Sequence, residues 1–427
     1  MRDEGGDSAL IPQPSSLILQ PSSLMLPFME RQKLKPQVVL LGLISLLNDS
    51  ASEMIYPLLP IFLTSTLGAT PMIVGLIEGT ADALSSILKL VAGSISDRLP
   101  RRKWLVVGGY ALATVSRAWI ALAGRWASVL GARLLDRTGK GIRSAPRDAM
   151  IADVTPIESR GRAFGFQRAL DHTGAVVGPL LAILLLNAVH LPMRTVFMIA
   201  VIPGAIGVAL LILFLREPLR TTPPRDPTTP QPRNLPRPFY YALASIALFS
   251  LANSSDVFLL LQAHAAGVTV GMLPVLWSAH HVIKALFSTR AGARSDITDR
   301  RKLLMAGWLF YAAIYFAFPF AKSLYMFVIL FVLYAIPFTL TEGAERAWIS
   351  DLVPAEARGR SFGMYYLATG LSVLAGTALF GALYQGVSPR AAFFTGAALA
   401  LAAAASVRAA RTSRVLRSNS PSSKPTG

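Results

Sequence analysis

The chain has 427 residues, 53% of them hydrophobic and only 15% charged, with a net charge of +18 and no cysteine. A soluble domain carries roughly 25% charged residues, so this composition, with its mean hydropathy of +0.50, points to an integral membrane protein. It excludes disulfides, thiol catalysis and cysteine metal sites, and because the arginines punctuate apolar segments instead of forming one basic face, it argues against a nucleic-acid partner.

Residues 1–36 are expected to form a disordered N-terminal tail. Asp3, Glu4 and Asp7 make the start acidic and Pro12, Pro14, Pro21 and Pro27 interrupt any apolar core, so it does not read as a signal peptide; Met1 and Met29 both stay open as the natural start. Apolar runs then begin near residues 38, 71, 104, 126, 162, 195, 239, 270, 303, 324, 361 and 390. At about 20 residues per crossing of a ~30 Å hydrocarbon core, they predict an all-α integral membrane fold with twelve transmembrane helices.

The first run carries Asp49 and Glu53 one helical turn apart, with Asn48 beside them, and the second carries Glu78, Asp82 and Lys89 on one face. Arg117 stands alone in the third. In the fourth, which contains LLDRTGKGIRSAPRDAM, about 100° per residue places Arg133, Asp136, Arg137, Lys140, Arg143 and Arg147 in an arc roughly 140° wide. Its Gly139-Lys140-Gly141 core is not a nucleotide loop, because Leu134 stands where the phosphate-binding pattern needs its first glycine and Gly141 where it needs Ser or Thr. The fifth run places Arg168, Asp171 and His172 on one side, and the tenth does the same with Glu342, Glu345 and Arg346.

A charge at mid-membrane costs at least ~2.5 to 3.5 kcal/mol, so these faces must point at protein or at a wet cavity. Much of this charge is expected to neutralise itself in ion pairs. A carboxylate in such a cavity can load and release a proton as the cavity alternates between membrane faces, which nominates Asp49 and Glu53 first, then Glu78 and Asp82, with Asp171 beside His172 as a relay. Asn48, Arg117, Arg133, Arg137 and Lys140 are the candidates to line a solute cavity. Whether these cations meet cargo or only neutralise Asp49, Glu53 and Asp82 stays open at this point.

After the sixth run comes REPLRTTPPRDPTTPQPRNLPRP, too rich in proline for helix or strand. Residues 217–238 are therefore expected to be a linker between a six-helix bundle at 37–216 and another at 239–412, with a tail at 413–427. Lys and Arg gather before the odd-numbered runs, which predicts a multi-pass protein of the cell (inner) membrane with linker, tails and both termini cytoplasmic. The halves repeat each other: GSISDRLPRRK from Gly93 matches GARSDITDRRK from Gly292, and ADVTPIESRGRAFG from Ala152 matches SDLVPAEARGRSFG from Ser350. A duplicated six-helix unit explains both matches.

These features resemble the major facilitator superfamily of secondary transporters over nearly all of residues 38 to 412. The family's loop between its second and third spans carries a glycine, Asp-Arg and a basic pair; Gly93, Asp97, Arg98, Arg101 and Arg102 match, with Pro100 in place of the second glycine, and Gly292, Asp296, Arg300 and Arg301 form the second copy. The resemblance implies that these loops gate by latching one conformation. In the fifth span, Gly165, Gly174, Gly178 and Pro179 fall at the spacings of the superfamily's proton antiporters, although Ala182 and Ile183 replace the closing glycine pair.

The expectation is a secondary active transporter working by alternating access, with proton-coupled antiport (efflux) of a drug-like or amphipathic compound as the leading reading. Transport of an organic anion bearing a carboxylate or phosphate, or a non-transporting sensor on the same fold, are the alternatives. No enzyme constellation, cofactor site or metal-ligand spacing is present in the sequence. The expected partners are a small-molecule solute, protons and the lipid bilayer, with the chain acting as a monomer.

Overall fold

In this computed structural model the described residues are 33–216, 234–253, 258–259, 262–263, 267–268, 273–321 and 323–409. The expected tail over 1–36, the linker over 217–238 and the tail over 413–427 lie outside them, apart from 33–36 and 234–238.

The described residues contain helices and no strand. Twelve helical segments follow in chain order: α1 (Pro36–Glu53), α2 (Pro71–Arg98), α3 (Lys103–Leu122), α4 (Trp126–Val154), α5 (Arg160–Ile183), α6 (Met193–Ile199 and Val201–Phe214), α7 (Arg237–Ala252), α8 (Leu273–Ile297), α9 (Arg300–Ala317), α10 (Leu324–Leu333 and Ala335–Asp351), α11 (Arg358–Gly386) and α12 (Pro389–Ala409). The starts follow from local chemistry. Pro36 and Pro71 occupy first-turn positions that need no amide donor, Thr70 accepts a hydrogen bond from the Ile73 amide, and Ser323 accepts one from Met326. The breaks in α6 and α10, at Ala200 and Tyr334, lie three residues before Pro203 and Pro337, whose missing amide donors remove hydrogen bonds that would continue each helix.

Among the described residues seven helical stretches, those of α3, α5, α6, α9, α10, α11 and α12, are long and apolar enough to cross a membrane. Helix α7 spans only 16 described residues. The charged rows of α2, α4 and α8 lower their hydropathy, which is the cost of carrying a polar interior.

Within the first half α1 packs on α5 and α6, and α4 on α2 and α3; in the second, α12 packs on α9 and α7, and α10 on α8. Two helix pairs join the halves, α5 with α8 and α2 with α11, and these pairs exchange when the repeat maps one half onto the other. The first half buries an apolar cluster that includes Met54, Phe62, Ile77, Val129 and Phe197, with Phe62 and Phe197 edge to face at 5.2 Å. The second half is aromatic instead: Tyr311 stacks on Tyr315 at 4.2 Å, and Tyr334, Phe318 and Phe393 continue the column.

Candidate functional site

A cavity of about 280 Å³ opens within the first half, lined from α1 by Asp49, Ser52 and Glu53, from α3 by Ser116 and Arg117, and from α4 by Arg133, Asp136, Arg137, Lys140 and Arg143. Ile55, Tyr56 and Ile120 supply its apolar wall. Its charges reach one place because α4 puts its cations on one stripe while glycines elsewhere on that helix let its neighbours close in. A Cβ on Gly141 would stand 2.6 Å from Cβ of Leu88 on α2, and one on Gly139 would strike the Gly109 carbonyl of α3. The glycines that looked like a phosphate loop are thus helix-packing positions.

The α4 cations divide into paired and unpaired. Arg133 donates through Nε (2.9 Å) and Nη2 (2.5 Å) to the two oxygens of Glu78 and lies 3.3 Å from Asp136. Arg137 sits 2.8 Å from Asp82, 3.2 Å from Asp136 and 3.8 Å from Glu78. Arg147 pairs with Asp148 at 3.0 Å and donates to Ser45. Lys140 and Arg143 have no carboxylate partner among the described residues; Arg143 reaches the Gly109 carbonyl at 3.4 Å and lies 4.5 Å from the centre of the Tyr110 ring.

Asp49 and Glu53 make no close ion pair among the described residues either, although Lys140 attracts both of them and Arg143 attracts Asp49 from the same cavity wall. Asn48 donates to Asp49 at 2.9 Å, and its own oxygen accepts from Arg117 Nη2 at 2.7 Å, so Arg117, Asn48 and Asp49 form a chain across α3 and α1. Asp171 takes a different place: both its oxygens accept from Gln167 Nε2 at 2.7 Å, and Arg168 lies 3.0 Å away. Behind it, His172 meets His281 of the second half, Nδ1 to Nδ1 at 3.1 Å, and Glu342 lies 3.4 Å from His172.

The antiporter-type glycines of α5 border these groups. A Cβ on Gly174 would stand 2.9 Å from Cβ of Asp49, one on Gly178 would stand 2.8 Å from Cβ of Glu53, and one on Gly165 would strike the Ser288 carbonyl of α8. Proline at position 179 follows inside the same helix.

The duplicated loops build two matching latches between the halves. The carboxylate of Asp97 accepts from the amides of Gly359 (2.9 Å) and Arg360 (2.7 Å) at the start of α11, and Asp296 accepts from Gly161 (2.7 Å) and Arg162 (2.8 Å) at the start of α5. An acid at a helix N-terminus meets free amides and the positive end of the helix dipole. Arg102 bridges Asp97 (2.6 Å) and Asp153 (2.5 Å), as Arg300 bridges Asp296 (3.3 Å) and Asp351 (3.1 Å). Arg358 completes one latch on Asp153 and Arg160 the other on Asp351. Gly93 touches Gly359 backbone to backbone, and Gly292 touches Gly161 in the same way.

Arg98 and Arg101 are exposed, and Arg301 turns back to Asp299 at 2.7 Å, where its hydrogen bond holds the Asp299 carboxyl below the usual carboxylate range. Asp153, Asp351, Arg160 and Arg358 were not singled out from the sequence as gating candidates, yet all four join these ion pairs and stand in the second duplicated stretch, so the repeat itself carried the signal.

Comparison with known proteins follows the same lines. The family model for the Major Facilitator Superfamily matches residues 41–279 and 241–426. An uncharacterised MFS-type transporter of Methanocaldococcus jannaschii is 32% identical over 378 residues, covering 87% of this chain and 94% of that protein. The multidrug resistance protein MdtH of Edwardsiella ictaluri is 31% identical over 134 residues, 30% of this chain and 31% of its own. Among solved structures, the human organic anion transporter MFSD10 (TETRAN) shares the fold at a TM-score of 0.72 and 17% identity, with 87% of this chain and 100% of that chain covered. With apolar helices, a duplicated latch and a polar cavity all accounted for, the chain belongs to the Major Facilitator Superfamily, a family of multi-pass membrane transporters and not of enzymes.

Proposed function

We propose that this transporter is proton-coupled and exports a small amphipathic organic solute by alternating access, with Asp49 and Glu53 carrying the protons. The observation that carries this reading is that both carboxylates line the cavity with no cation within ion-pair distance among the described residues, while the other first-half acids of the cavity region are in ion pairs. A group that must load and unload a proton cannot be locked by a permanent counter-ion. Exchange of protons for solute is supported by the resemblance of α5 to antiporters and by the packing of Gly174 and Gly178 on the turn of α1 that holds the acids. The name of the multidrug resistance relative supports a drug-like cargo.

In this reading all twelve segments cross the membrane, the latched face is cytoplasmic because the basic loops collect there, and the halves rock about the cavity. A second reading, transport of an organic anion, is favoured by Arg117, Lys140 and Arg143, which line the cavity without carboxylate partners. The test is purified protein in liposomes under an imposed pH gradient, presented with a panel of amphipathic amines, organic anions and zwitterions. At least one solute should accumulate uphill with a matching movement of protons. If no solute moves and binding never displaces protons, the proposal falls.

A further inference from the structure

The cavity holds charges of both signs and keeps them apart. Arg133, Arg137 and Arg147 each have a carboxylate within ion-pair distance, so the first half is able to neutralise buried charge where that is all the charge is for. Around the cavity it does not. Asp49 and Glu53 on α1, and Arg117, Lys140 and Arg143 on α3 and α4, attract one another across the cavity but none of them makes a close ion pair among the described residues. A buried ion without a counter-ion costs several kcal/mol, a cost a folded protein sustains where a ligand supplies the missing charge.

Arg117 is the clearest case. It is 2% exposed, its Nη2 is held by Asn48 and Ser52, and its Nε and Nη1 have no hydrogen-bond partner. Arg117 lines the cavity, with Nη1 lying against Gly204 of α6, and a guanidinium on a cavity wall is a receiver for an oxyanion. The chain from Arg117 through Asn48 to Asp49 puts this cation within two side chains of the nearest unpaired acid. Ile55, Tyr56 and Ile120 leave an apolar surface between the charges, and a volume of about 280 Å³ is at the small end of ligand pockets.

We propose that the cargo is a zwitterion: a small amphipathic molecule whose carboxylate or phosphate is held by Arg117, Lys140 and Arg143 and whose ammonium is held by Asp49 and Glu53. This rests on the transport reading for the role of the cavity and adds the class of solute. A singly charged solute leaves one set of charges unanswered. Protons arriving on Asp49 and Glu53 displace the ammonium end and so lower affinity, which is the sign that exchange requires.

The experiment is equilibrium binding to the detergent-purified full chain of three compounds built on one ring: 4-(aminomethyl)benzoate, 4-methylbenzoate and 4-methylbenzylamine. The zwitterion is expected to bind at least about tenfold more tightly than either singly charged compound. Glu53→Gln should bring the zwitterion to within about threefold of 4-methylbenzoate, and Lys140→Gln to within about threefold of 4-methylbenzylamine. Neither side chain makes an ion pair, so both variants should fold. A zwitterion that binds no better than the tighter of the two single-charge compounds, or not at all, overturns the proposal. Uphill transport in liposomes is read separately, so loss of zwitterion selectivity with intact proton-driven transport sinks only the assignment of cargo, while selective binding without coupled transport sinks the coupling.

Discussion

Asp49 and Glu53 are distinguished by what they lack. Glu78 and Asp82 reach Arg133 and Arg137 across the gap between α2 and α4, whereas the two α1 acids make no close ion pair among the described residues. Asp49→Asn or Glu53→Gln should therefore reduce pH-gradient-driven accumulation in liposomes by at least about tenfold, a change of about 1.4 kcal/mol, while leaving folded protein in the membrane. Unchanged uphill transport in both variants would remove the proton role from α1. Asn48 has a structural part that can be measured apart from transport: Asn48→Leu takes away the nearest of the acceptors of Arg117 Nη2 and should lower stability by about 1–3 kcal/mol, read as a fall in the tryptophan-fluorescence melting temperature.

Residue identity was readable in the sequence at this scale, and partnership was not. That Asp49, Glu53, Arg117 and Arg133 lie in apolar runs follows from their neighbours. Which acid meets which cation depends on side-chain direction across helices, and residues 69 apart, as Asn48 and Arg117 are, give no local sign of their contact.

Among elements, the helices were legible as apolar runs, and their starts fall within a few residues of the expected ones. The latch acids were legible through duplication. The choice of Arg102 over Arg98 and Arg101 was not, because it depends on where α2 ends and how the short turn at Pro100 aims the next side chains. The glycines at the latch make a sharp prediction. A side chain on Gly93 would collide with the Gly359 backbone, and overpacking of this kind costs typically about 1–3 kcal/mol, so Gly93→Val should shift the population away from the closed latch by roughly 5- to 150-fold. The native chain has no cysteine, so a single cysteine engineered beside the latch can report the shift by its rate of alkylation. An unchanged rate would mean that the halves do not separate there.

Across the whole molecule the two halves share a backbone plan and differ in chemistry. The register that lays Ala152 on Ser350 also lays Arg133 on Phe331, Asp136 on Tyr334 and Lys140 on Phe338, so the charged row of α4 becomes an aromatic row in α10. Near the C-terminal ends of those helices the same register pairs Asp148 with Arg346. These mates carry opposite charge and meet at 3.5 Å, with Tyr366 also donating to Asp148. A repeat that matched these two residues in sign would have set like charges against each other where the halves meet. Asp148→Asn strands two buried arginines, and losing one partner of a buried pair typically costs about 3–5 kcal/mol, so this variant should show a large drop in melting temperature and yield.

The latch has a consequence for conditions outside the protein. Its contacts are carboxylates on helix ends, arginines bridging acids, and glycine backbones in touch, so parting the halves hands charge to the surrounding water. Dissolved ions then compete for those charges. Raising ionic strength from about 0.01 to 1 M shortens the screening length from about 30 to 3 Å, and the dwell time of the closed face should shorten with it. The salt content of the compartment bathing that face would thus act as a clock for the transport cycle.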